Sequence, residues 1–65
     1  MMKKTDYSIL VLRNNGSIDV FYFTSPVDLH RAFRDGINEL KQGEVIRKVA
    51  FGKTLETYDS EKGQN

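Results

Sequence analysis

His30 is the single histidine of this 65-residue chain, so acid–base or imidazole-metal chemistry at neutral pH would have to start there. A general base needs a hydrogen-bonding partner and a pocket around it. Asp28 stands two positions away, a spacing that puts the two side chains on different faces of a helix. His30 instead falls beside Arg34 and Ile37, at the edge of an apolar stripe. With no cysteine and no second histidine, metal-ligand spacing is absent, and the carboxylates do not alternate as in a calcium loop. Glycines at 16, 36, 43, 52 and 63 match neither a phosphate loop nor a dinucleotide fingerprint. Asp35 and Glu39 lie one helical turn apart and read as a solvated face balancing Arg31. The expectation is a chain that is not an enzyme and that holds neither metal nor cofactor.

The remaining chemistry is phosphate contact. Ten Lys and Arg against nine Asp and Glu give a net charge of +1, which argues against an acidic DNA mimic and against a strongly basic nucleic-acid binder. The charge is nonetheless uneven. Arg31, Arg34, Lys41, Arg47 and Lys48 form a candidate anion- or nucleic-acid-contacting set on a helix flank and a following strand. Phe21, Tyr22 and Phe23 could stack on bases, but the basic–Gly–aromatic signature of an RNA-recognition sheet is missing. Nucleic acid is the alternative reading, not the favoured one.

The elements that would position these residues are readable. Tyr7–Arg13 and Ile18–Phe23 are apolar, β-branched and aromatic, and they flank Asn14-Asn15-Gly16-Ser17. A two-residue type I′ turn at Asn15-Gly16 predicts Arg13 opposite Ile18, Val11 opposite Val20, Ile9 opposite Tyr22 and Leu10 opposite Phe21. Ser25 as N-cap, Pro26 at the first helical position and Asp28 in the first turn begin a helix running to Lys41 or Gln42, with Gly43 as its left-handed stop. Leu29, Phe33, Gly36 and Leu40 make its apolar stripe, flanked by Ala32 and Ile37. Gly36 predicts close approach to a bulky sheet residue such as Phe21 or Phe23. Glu44–Phe51 is a third strand, and a Gly52-Lys53 type II′ turn would lead into a short fourth, Thr54–Tyr58.

The fold class is therefore α+β: a small antiparallel sheet in order 2-1-3, extended to 2-1-3-4 if the fourth strand forms, with one helix on one face. A β-grasp-like ββαββ order is the alternative, disfavoured because Thr54–Tyr58 is too polar to be a central strand. Residues 1–6 read as a flexible lead-in, 7–58 as one domain and 59–65 as a disordered polar tail. No apolar run approaches the ~20 residues of a membrane span, and no signal-peptide core is present, so the expected setting is cytoplasmic.

One helix covers one face of such a sheet, yet the hairpin is apolar on both. In the expected register Leu10, Leu12, Phe21 and Phe23 meet the helix. Tyr7, Ile9, Val11, Ile18, Val20 and Tyr22 are then left as an outer face of the kind that marks interaction sites. Val20→Lys or Ile9→Lys should split a dimer built on it. The functional expectation is a small protein-interaction module, homodimeric or docked on a larger protein and acting as its stoichiometric modulator or inhibitor. Many phage and mobile-element proteins share this size and architecture, an analogy that does not itself carry function.

Overall fold

The computed structural model describes residues 6–61. β1 (Tyr7–Leu12), β2 (Ile18–Phe23), α1 (Pro26–Glu39), β3 (Val45–Ala50) and β4 (Lys53–Asp59) follow in chain order. The sheet is antiparallel throughout, in order β2-β1-β3-β4, with α1 packed on one face. The fourth strand is formed and lies beside β3, so the β-grasp alternative is not the arrangement adopted. β4 extends to Asp59, and Ser60 N donates to the Glu44 carbonyl at 3.0 Å. The strand thus begins one residue before and ends one residue after the Thr54–Tyr58 span expected for it. The rest of the expected tail, 62–65, and residues 1–5 of the lead-in lie outside the described residues, while Asp6 holds the β3–β4 turn by accepting from Phe51 N at 2.7 Å.

The hairpin register differs from the expected one by a single residue. Gly16 N donates to the Arg13 carbonyl at 3.1 Å, and Arg13 N donates to the Ser17 carbonyl at 2.8 Å. This is a three-residue loop in which only Gly16, at φ +92°, is left-handed. A type I′ turn would force Asn15 to positive φ as well. Here the Asn15 side chain instead accepts from Ser17 N at 2.9 Å and from Ser17 Oγ at 2.7 Å. The pairs are consequently Leu12↔Ile18, Val11↔Asp19, Leu10↔Val20, Ile9↔Phe21, Ser8↔Tyr22 and Tyr7↔Phe23. A one-residue slip exchanges the faces of one strand relative to its neighbour. Tyr7, Ile9 and Val11 therefore share the helix-covered face with Phe21 and Phe23. Tyr7, Ile9 and Val11 are buried there, while Leu10, Leu12, Ile18, Val20 and Tyr22 lie on the opposite face.

The core is Tyr7, Ile9, Val11, Leu29, Phe33, Ile46 and Ala50, with Phe23, Ala32, Ile37, Leu40 and Tyr58 packed around it. α1 starts as its sequence dictates: Ser25 Oγ accepts from Asp28 N at 3.1 Å, behind Pro26. It ends at Glu39, earlier than expected, because Leu40 turns extended and its N–H bonds to the Ile37 carbonyl. Gly43 is left-handed, at φ +88°, but in the Lys41–Glu44 turn rather than as the helix stop. Gly36 meets Ile46, not Phe21 or Phe23: a Cβ there would stand 2.5 Å from Ile46 Cδ1.

The β3–β4 turn is also displaced by one residue. Phe51 and Gly52 occupy it, at φ +51° and +79°, the left-handed pair of a type I′ turn. The Tyr7 ring meets Phe51 edge-on at 5.3 Å between centroids, which helps hold a bulky residue in a conformation that ordinarily disfavours it. β4 carries a bulge at Leu55, between the pairs Lys48↔Glu56 and Val49↔Thr54.

Candidate functional site

The six residues expected to form one outer surface do not share a face. Tyr7, Ile9 and Val11 are buried beneath α1, Ile9 to 2% exposure. Ile18, Val20 and Tyr22 lie on the opposite face, 57%, 43% and 53% exposed. Strand alternation places Leu10 and Leu12 of β1 and Val45, Arg47 and Val49 of β3 on that same open face. No described element covers it. An uncovered apolar sheet face therefore exists, assembled from β1 residues other than those the sequence suggested.

The five bases are likewise separated. Arg31 and Arg34 are exposed on the outer side of α1, where they border a shallow depression with Val27, His30, Asp35 and Asn38. Lys41 lies in the turn after the helix. Arg47 is on the open sheet face, opposite Leu10. Lys48 points the other way, under the helix. Its Nζ is 3.1 Å from Glu56 Oε1, 5.1 Å from the centre of the Phe33 ring and 3.4 Å from His30 Nδ1. A phosphate-tracking strip needs its cations on one surface. Here only Arg31 and Arg34 are brought together, and Lys48 is engaged within the fold.

Two features escaped the sequence reading. The first is the buried carboxylate of Glu44, which ties the turn after α1 to the β1–β2 loop. Glu44 Oε1 accepts from Lys41 N at 3.0 Å, and Oε2 accepts from Asn14 N at 3.3 Å. Arg13 Nη1 lies 3.5 Å from Oε1. The Lys41 N–H above all, then the Asn14 N–H and Arg13, hold this carboxyl below its ordinary pKa, against the opposing effect of desolvation. Ser60 Oγ accepts from Glu44 N at 2.9 Å. A charge surrounded by backbone donors on adjacent loops is a structural tie, and its spacing of some thirty residues from Arg13 and Asn14 leaves no local sequence signal.

The second is a cleft of about 270 Å³ between α1 and β2. Its walls are Ile9, Val11, Phe21, Phe23 and Ile46 from the sheet and Ala32, Gly36 and Leu40 from the helix, with Arg13, Asp35 and Glu39 also lining it. The helix packs over β1 and β3 more than over β2, so Phe21 stays 47% exposed although it lies on the helix side of the sheet. A signal for the charged part of this cleft was present. Asp35 and Glu39 fall near the C-terminal, partially negative end of α1, and its last turn has no basic residue.

Among the described residues no group of three or more His, Cys, Asp or Glu stands together as a metal cluster, and no helix is long and apolar enough to cross a membrane. The comparisons with known proteins assign no relative: no family model, no curated protein and no solved structure matches the chain.

Proposed function

We propose that this chain is a non-enzymatic protein-interaction module that pairs with a second copy through the open face of its sheet. In this reading it acts stoichiometrically on a larger protein, in a cytoplasmic setting. The supporting observation is the run of Ile18, Val20 and Tyr22, each more than two-fifths exposed, beside Leu10, Leu12, Val45 and Val49 on a face without a covering layer. Full burial of one Val or Ile side chain contributes ~1.5–3 kcal/mol. Several on one face make a patch of the kind that marks association sites. Two such faces stacked at the ~10 Å spacing of packed sheets would bury them together.

Sedimentation at micromolar concentration tests the self-association. The expected result is a dimer for the native chain and a monomer with unchanged helical circular dichroism for Val20→Lys. Ile9→Lys, by contrast, should unfold the chain rather than split the dimer, because Ile9 lies in the core. A native chain that sediments as a monomer across the concentration range removes the dimer reading. Titration with single- and double-stranded DNA and RNA at low salt should give no shift. Tight, steeply salt-dependent binding would replace the protein-interaction reading with the nucleic-acid one.

A further inference from the structure

The cleft between α1 and β2 borders a sheet edge whose backbone is available for pairing. The bond from Arg13 N to the Ser17 carbonyl sets the phase of the β1–β2 ladder. By alternation, Asp19, Phe21 and Phe23 bond inward to β1, while Ile18, Val20 and Tyr22 direct their N–H and C=O groups outward. Native edges are ordinarily blunted by Lys, Pro, bulges or short length. β4, the other edge, carries Lys53, Glu56, Asp59 and the bulge at Leu55. β2 has six residues with neither Lys nor Pro nor a bulge, and Asp19 as its single charge.

The charges around the cleft favour a cationic occupant. Asp35 and Glu39 line it with no ion pair among the described residues, and they sit at the helix end where the backbone dipole already disfavours carboxylates. The one cation lining the cleft, Arg13, is engaged by Asp19 at 2.7 Å and by Glu44 at 3.5 Å. Arg31 and Arg34 border Asp35 on the outer side of α1, but no ion pair among the described residues ties either carboxylate down, and a cation from outside the chain would complete the lip. A second copy of β2 would bring Asp19, not a base, to this edge.

We infer that β2 and the α1 cleft take an extended segment of a partner protein as a fifth strand. The segment places apolar side chains at alternate positions on Phe21, Phe23 and Leu40, and a Lys or Arg against Asp35 and Glu39. Backbone bonds supply affinity in this mode, and the alternate pockets and the acidic lip supply selectivity. The cleft lies on the opposite face of the sheet from the one proposed for self-association; Ile18, Val20 and Tyr22 lend side chains to that face and backbone groups to this edge, so the Val20→Lys variant separates the two readings.

Selection from a displayed library of random linear peptides tests it, using the native chain and the double variant Asp35→Lys/Glu39→Lys. For the native chain the expected winners alternate apolar residues and carry Lys or Arg over Asp or Glu at one end by at least about tenfold; the double variant should invert that preference. Bound peptide should slow hydrogen exchange at the amides of Ile18, Val20 and Tyr22, with sedimentation of the double variant unchanged from native. No enriched peptide, the same charge preference in both proteins, or winners that leave those three amides unprotected would overturn the inference. Protection of these amides by rising concentration of the Val20→Lys variant, in which pairing through the open face is blocked, would assign the edge to a second copy and overturn it equally.

Discussion

Arg13 Nε lies 2.7 Å from Asp19 Oδ2, diagonally across the β1–β2 ladder on the face that carries Ile9 and Phe21. The two side chains share that face only in the register with Leu12 opposite Ile18. One residue of slip would send Asp19 to the other side of the sheet. The ion pair, the three-residue loop and the burial of Phe23 beside Tyr7 therefore all select the same pairing, and that pairing decides which apolar residues are core and which are surface.

The loop makes a directional claim. Gly16→Ala should destabilise the chain by roughly 1–2 kcal/mol, because an alanine at φ +92° is strained even with open space around its Cβ. Asn15→Ala should cost less, about 0.5–1 kcal/mol, since Asn15 is not left-handed and only its hydrogen bonds to Ser17 are lost. Urea denaturation of the two variants measures the order; equal or reversed losses would indicate a type I′ turn.

At the helix–sheet contact, Gly36 and Ile46 should be energetically coupled. An exposed helical Gly→Ala change normally gains ~1 kcal/mol. At Gly36 the new methyl would stand 2.5 Å from Ile46 Cδ1, the end of a side chain that borders the cleft, so Ile46 must shift and Gly36→Ala is expected to forfeit that gain. Ile46→Val removes that terminal methyl and alone costs ~0.5–1.5 kcal/mol. The double variant should be more stable than the two single effects predict by about 1 kcal/mol, which a double-mutant cycle of denaturation midpoints would read directly.

Glu44 carries a pH dependence of defined sign. Its folded pKa is depressed, so the unfolded chain binds more protons in the acidic range and stability rises with pH there. The contribution of Glu44 is fully present above the ordinary glutamate pKa and is lost as pH falls through the lower, folded value. Denaturation free energies of the native chain should drop on acidification across that window. Glu44→Gln, less stable at neutral pH, should show a flatter profile there. Parallel profiles would mean that Glu44 is not held as an ion.

The composition and patterning of this chain determined by themselves three strands in order 2-1-3, one helix and the start of that helix, and left a fourth strand beside the third conditional. Those outcomes rest on local physics: β-branched runs, a Ser-Pro-Val-Asp cap, glycines at the turns and a 3.6-residue apolar stripe. Tertiary structure decided the phase of the pairing, because Asn15-Gly16 and Phe51-Gly52-Lys53 each admit two turns one residue apart. That choice was settled by what the whole sheet could bury and pair. With it went the identity of the exposed face: Ile18, Val20 and Tyr22 stayed outside, while Tyr7, Ile9 and Val11 moved into the core. The Glu44 tie and the acidic cleft beneath the helix end also belong to tertiary structure, since loops and strands far apart in the chain must meet before either exists. Residue pattern sets which elements form, and an alternation of period two leaves their register to long-range packing, where a single-residue slip carries the entire difference between core and surface.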